Sequence, residues 1–218
     1  MEFRFNRTIR ASIPTKATQY YDWVSVLESY RKYVTPTSRV LEIGASRIDK
    51  TTELSLWCNE LIGVELLPKR TPKNFRNVRY VTGDWENLST LVTRESIDLA
   101  ISTHVIEHVP NDVKAMNELY EVLKPGGRAV LSTPNRRRLV RALVEKFTGE
   151  RVFPYGEHVR EYMEKDLIQL LAASRFRNYH IYPVVFGVHG GPFFVYSTSV
   201  PKRLRGLANF WEIHLVKA

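Results

Sequence analysis

RVLEIGASRID, residues 39–49, decides how the rest of the chain is read. The apolar run Val40-Leu41-Glu42-Ile43 ends at Gly44, as a buried strand does when it feeds a tight turn into a helix. A dinucleotide fingerprint would carry glycines at the next alternate positions, but Ser46 and Ile48 stand there. A weakened dinucleotide site, a site for another ligand and a plain strand end are all open at this point, and the flanking sequence has to decide.

Outward from that stretch, short apolar runs alternate with helical patterns. Strands are expected at 38–44, 60–66, 77–84, 96–105, 127–134, 177–185 and 210–218. Helices are expected at 18–34, 50–58, 112–123 and 164–176, the third stopping at Lys124-Pro125-Gly126-Gly127. Residues 1–17 read as irregular. The alternation predicts an α/β, Rossmann-like doubly wound sheet, mostly parallel with an antiparallel last strand and helices on both faces. Residues 1–218 are read as a single domain, with an N-terminal helical segment 1–36 and cap insertions at 134–160 and 187–210.

Composition narrows the class. Hydrophobic residues make up 44% and charged residues 25% of the 218, ordinary for a globular protein with a proper core. No apolar stretch approaches the roughly 20 residues of a membrane helix, and the N-terminus has no signal-peptide core. The single Cys58 excludes an internal disulfide and lacks partners for a zinc site, so a cytoplasmic location is expected. The net charge of +9 calls for an anionic partner or a solvated basic face.

Sheets of this kind bind ligands beyond the carboxyl ends of their strands. Those ends carry Glu42, Glu65 and Gly83-Asp84, three acids at three successive strand ends. Glu65 follows Glu42 by 23 residues, about the spacing at which a carboxylate reaches a ribose diol. Asp84 is suited to an exocyclic amine such as adenine's, Gly83 permits close backbone approach, and Trp85 offers a face to a purine. Taken singly, each acid is more ordinary as a helix cap or a surface charge.

In order and spacing, VLEIGAS, GVEL, VTGDWENL, IDLAISTHVIEHVP and ELYEVLKPGGRAVLSTPN resemble the successive motifs of class I S-adenosylmethionine-dependent methyltransferases, type 11-like members among them. The likeness covers about 38–135 and extends to 176 through EHVREYMEKDLIQLLAASRF. It implies S-adenosyl-L-methionine as cofactor, which has no diphosphate to cradle. By the same resemblance Glu42 lies near the methionyl amine, Gly44, Ala45 and Ser46 border the sulfonium end, and Glu65 holds the ribose. Asp84 takes the adenine amine between Trp85 and Leu66, with Gly83 beside it, and Ser102 and Thr103 form the floor with His104.

A hydroxyl acceptor must lose a proton on methylation, so a base near neutrality helps. His104 is the first candidate, then His158 and His108. VIEHV also resembles the metal-binding motif of quinone-biosynthesis O-methyltransferases, yet Glu107 and His108 have no evident third ligand and no metal is expected. Residues 134–160 read as a basic amphipathic helix with Arg136, Arg137, Arg138 and Arg141, followed by an aromatic loop. Such a helix suits either ordinary packing or contact with an anionic membrane. The expected activity is methyl transfer to a small-molecule or lipid-linked acceptor, at a hydroxyl oxygen. RNA or protein methylation and a non-catalytic cofactor-binding protein are the alternatives, nucleic acid being the less favoured partner, and the oligomeric state is left open.

Overall fold

The computed structural model describes residues 10–12, 29–46, 48–149, 157–190, 193–197 and 199–218. Most of the expected helix 18–34 and the aromatic loop at 153–156 lie outside these residues; of the helix, residues 29–31 are described and helical.

Among the described residues, ten strands form two sheets. The small one contains β1 (Arg10–Ser12), β8 (Phe186–Gly190) and β9 (Phe193–Ser197), antiparallel, with β9 in the middle. The large one contains β2 (Arg39–Ile43), β3 (Glu60–Glu65), β4 (Val78–Thr82), β5 (Ile97–Thr103), β6 (Leu123–Pro134), β7 (Asn178–Val184) and β10 (Phe210–Val216). Its order is β4-β3-β2-β5-β6-β10-β7. Strands β2 to β6 run parallel, and β10, the last in sequence, runs antiparallel between β6 and β7.

The helices are α1 (Ile48–Ser55), the single turn α2 (Leu88–Leu91), α3 (Asp112–Val122), α4 (Leu139–Thr148) and α5 (Glu164–Ala173). Successive strand residues face opposite sides. Leu41 and Ile43 therefore join the core under α3 and α5, with Met116, Leu119, Leu167 and Leu171, while Val40 joins Tyr30, Leu54 and Leu61 on the other face. Burial on both faces explains the continuous apolar runs that made β2, β3 and β5 legible.

Three differences from expectation have local causes. Strand β6 begins at Leu123, because the glycine pair bulges within the strand: pairing shifts between Ile97 and Leu99, and Gly126 adopts φ 75° while donating to Lys217 O. Helix α1 ends at Ser55, so Cys58 lies beyond it, although its thiol still reaches back to Leu54 O. The expected cap 187–210 is mainly the β8–β9 hairpin, and β1 turns part of the irregular N-terminus into its partner strand. Single-residue alternation over so few residues gives weak strand signals.

The strand order reverses between β2 and β5. The turns after these two strands, at Gly44 and at His104, border a crevice at that switch point.

Candidate active site

A cavity of about 540 Å³ opens at the carboxyl ends of β2 to β5, a size suited to a nucleoside-sized ligand. Gly44, Ser46, Glu65, Leu66, Gly83, Asp84, Trp85, Thr103, His104 and His108 all line it.

Each wall has a structural reason. Gly44 has φ 78°, and a Cβ there would stand 2.4 Å from Val105 Cγ2, so the β2 and β5 turns approach as closely as they do only because this residue has no side chain. Gly83 is similarly pressed, with Leu91 Cδ1 2.3 Å from where its Cβ would lie. Ser46 and Ile48, which stand where glycines were sought, are both exposed; Ser46 lines the cavity and Ile48 does not.

The acids keep their places. Glu65 is nearly buried at the end of β3, one oxygen accepting from Leu67 N at 3.3 Å. Asp84 caps the 85–87 turn through Oδ1, which accepts from Glu86 N at 2.9 Å. The same residue thus caps the turn and lines the cavity. Trp85 is buried against the core and also borders the cavity. Two carboxylates at neighbouring strand ends, an indole wall and a glycine-narrowed turn suit the diol, exocyclic amine and ring of an adenosyl group.

Glu42, Ala45 and Ser102 do not border the cavity. Glu42 is fully buried, and its oxygens are engaged by the chain itself: Thr51 Oγ1 donates to Oε2 at 2.6 Å, and Lys50 Nζ lies 2.7 Å from Oε1. Lys50 lines the cavity in front of it. Sequence reading missed Lys50, because a lysine in an amphipathic helix ordinarily faces solvent.

His104 sits at φ 55°, a left-handed conformation that a non-glycine residue adopts at a cost, and its N–H donates to Ser132 O. Its ring meets Phe210 edge-on, and Nδ1 lies 3.5 Å from Oε1 of the buried Glu107. The other Glu107 oxygen accepts from Thr133 Oγ1. His158 stands outside the cavity lining, with Nδ1 3.1 Å from Glu161 Oε1 and its ring against that of His108.

The expectation that Glu107 and His108 lack a third partner needs correction. His158, 50 residues on from His108, brings a ligand-type atom within 4.8 Å of those of the other two. The fold closes that distance by laying residues 157–162 over the turn after β5. Val159 N and Arg160 N donate to Glu107 O, and Arg160 caps Val109 O and Pro110 O. Tyr162 donates to Asp112 Oδ2 at 2.9 Å; burial above all, with that carboxylate beside it, pushes the phenol well above its ordinary range.

The arginines after β6 are largely spent inside the protein. Arg141 is buried and paired with Glu161, Arg138 adds a bond to the same carboxylate at 3.1 Å, and Arg136 pairs with Glu145. Burial, foremost, lowers the Arg138 guanidinium from its ordinary value. The exposed face of α4 is instead apolar, with Leu143, Val144 and Phe147.

A family model described as a methyltransferase domain matches residues 16–181. The chain is 28% identical over 127 residues to a ubiquinone biosynthesis O-methyltransferase of Cereibacter sphaeroides, covering 55% of this chain and 51% of that one. It is 31% identical over 130 residues to the biotin biosynthesis bifunctional protein BioHC of Cellvibrio japonicus, covering 54% and 26%. The matches thus span about a quarter to a half of the length of these relatives. Among solved structures, YcgJ of Bacillus subtilis has a TM-score of 0.63 at 17% identity, covering 89% of this chain and 98% of that one. An S-adenosylmethionine-dependent methyltransferase of Archaeoglobus fulgidus has a TM-score of 0.60 at 17% identity, covering 93% and 99%. These likenesses concern the fold.

Proposed function

The chain belongs to the methyltransferase domain family, among the class I S-adenosylmethionine-dependent members, and from that premise we propose that it methylates a hydroxyl oxygen of a small or lipid-linked acceptor. One observation carries the reading: His104 borders the same cavity as Glu65 and Asp84 and has the carboxylate of Glu107 behind it. The O-methyltransferase among the relatives lends it further support.

When bound, S-adenosylmethionine supplies an electrophilic methyl group on a positively charged sulfur. Glu65 would accept from the ribose hydroxyls and Asp84 from the adenine amine, with Trp85 and Leu66 as apolar neighbours of the nucleoside. Thr103 and His104, on the lining of the same cavity, would face the acceptor. His104 takes the hydroxyl proton, and Glu107 orients the imidazole and stabilises its cationic form. Positioning supplies most of the remaining rate, since two reactants held in line need little further chemistry from the protein.

The internal ion pairs of Arg136, Arg138 and Arg141 argue against an RNA-methylating role, because those charges are already neutralised by Glu145 and Glu161. The test is labelled-methyl transfer to a panel of phenols and prenylated phenols, with matched amines and thiols. Label in the ethers is the expected result; label in the amines or thiols alone refutes the reading.

A further inference from the structure

The acid at the end of β2 cannot serve an incoming ammonium group in the ordinary way. Glu42 is fully buried behind the cavity wall, and its charge is matched by Lys50, also almost completely buried. Lys50 does border the cavity, and its Nζ lies 3.4 Å from Thr103 Oγ1. A buried ammonium has three protons to place. The Lys50 Nζ stands 2.7 Å from Glu42 Oε1 and 3.4 Å from Thr103 Oγ1, and the residue lines the cavity. A buried pair of opposite charges is expensive to desolvate, and such pairs often add little to stability beyond what apolar residues would give. The charge is therefore worth keeping where a ligand uses it.

The adenosyl cofactor ends in a zwitterionic amino acid. Glu65 and Asp84 account for its nucleoside, at β3 and β4, and Lys50 stands on the β2 side of the same cavity. We propose that Lys50 is the anchor for the cofactor's carboxylate, with Glu42 serving to hold the lysine in place and not to bind the cofactor. This rests on the cofactor reading above. It makes the amino-acid end recognised through its negative group by a side chain on α1. Methionine at this position would keep a side chain of similar length without the charge.

The test compares S-adenosylhomocysteine with 5′-methylthioadenosine, the same nucleoside thioether without the amino-acid carbons, by calorimetric titration of the full chain. The wild type should prefer S-adenosylhomocysteine by roughly 10- to 100-fold, the range for a hydrogen bond to a charged group. Lys50→Met should erase most of that preference and leave 5′-methylthioadenosine binding unchanged. Because Lys50→Met strands the Glu42 charge, the double variant Glu42→Gln/Lys50→Met keeps the fold without either ion and should show the same lost preference. Glu42→Gln alone should retain it. If the double variant still prefers S-adenosylhomocysteine as strongly as the wild type, Lys50 is not the anchor and the cofactor reading stands. If the wild type binds neither compound, the cofactor reading falls and takes this inference with it.

Discussion

The imidazole of His104 and the carboxylate of Glu107 face each other three residues apart, Nδ1 to Oε1 at 3.5 Å, with the acid buried and the histidine held in a left-handed backbone conformation at the cavity edge. Holding a non-glycine residue in that conformation costs about 1–3 kcal/mol. If the pair moves a proton, His104→Gln should lower methyl transfer about 10²- to 10⁴-fold, the usual worth of a general base. S-adenosylhomocysteine affinity should change by no more than about twofold. Single-turnover transfer and a parallel titration check this; equal losses in both would make His104 a binding residue.

The close approach at Gly44 gives a second expectation. Gly44→Ala adds a Cβ into Val105 and forces an L side chain to φ 78°. Removing the clash with Val105→Ala should recover only part of the loss, because the backbone term of roughly 1–2 kcal/mol remains. Urea unfolding of the single and double variants separates the two contributions.

Glu161 ties α4 to the 157–162 segment through Arg141 and Arg138, and pairs with His158 within that segment. Glu161→Gln leaves the buried Arg141 without its counter-charge and should destabilise the fold by about 3–5 kcal/mol. Arg141→Met added to it should return most of that loss. A double variant no more stable than Glu161→Gln would mean that the apolar side chain cannot replace the ion pair in this setting.

Burial pushes the Cys58 thiol from its ordinary value near 9 up to about 11. The neutral thiol is thus favoured in the folded chain, and its contribution is complete below the unfolded value. Between about 9 and 11 the unfolded chain ionises first, so this part of the stability falls as pH rises through that window. Cys58→Ala should flatten the alkaline limb of a stability–pH curve measured by thermal unfolding. An unchanged limb would place the titration elsewhere.

The strands β2, β3 and β5 were legible because a parallel sheet buried on both faces writes its inner strands as near-continuous apolar runs, and Glu65 and Asp84 could be placed at strand ends once the strands were laid out in order. The helix α4 was legible too, from the spacing of Leu139, Val140, Leu143 and Val144. The destination of its arginines was not: their partners Glu145 and Glu161 are ordinary acids in the sequence, and only the packing of 157–162 onto the β5 turn makes Glu161 a hub. Lys50 and the approach of His158 to His108 were hidden for the same reason. Helical periodicity says which face a residue shares, not that a lysine on that face will be buried against a carboxylate. The β1–β9–β8 sheet escaped because its pairing joins residues near 10 to residues near 195, and no local pattern reports it.

The account stands or falls on whether the cavity at the carboxyl ends of β2 to β5 holds the adenosyl cofactor through Glu65 and Asp84. The direct measurement is the unfolding midpoint of the wild type, Glu65→Ala and Asp84→Ala with and without S-adenosylhomocysteine, with NAD and ATP as controls. At 100 times the dissociation constant the ligand should add about 2.7 kcal/mol to the wild type alone. That rise, absent with the controls and lost in both variants, is the predicted result. An equal rise in the variants, or a rise with NAD or ATP instead, would contradict the assignment of this cavity.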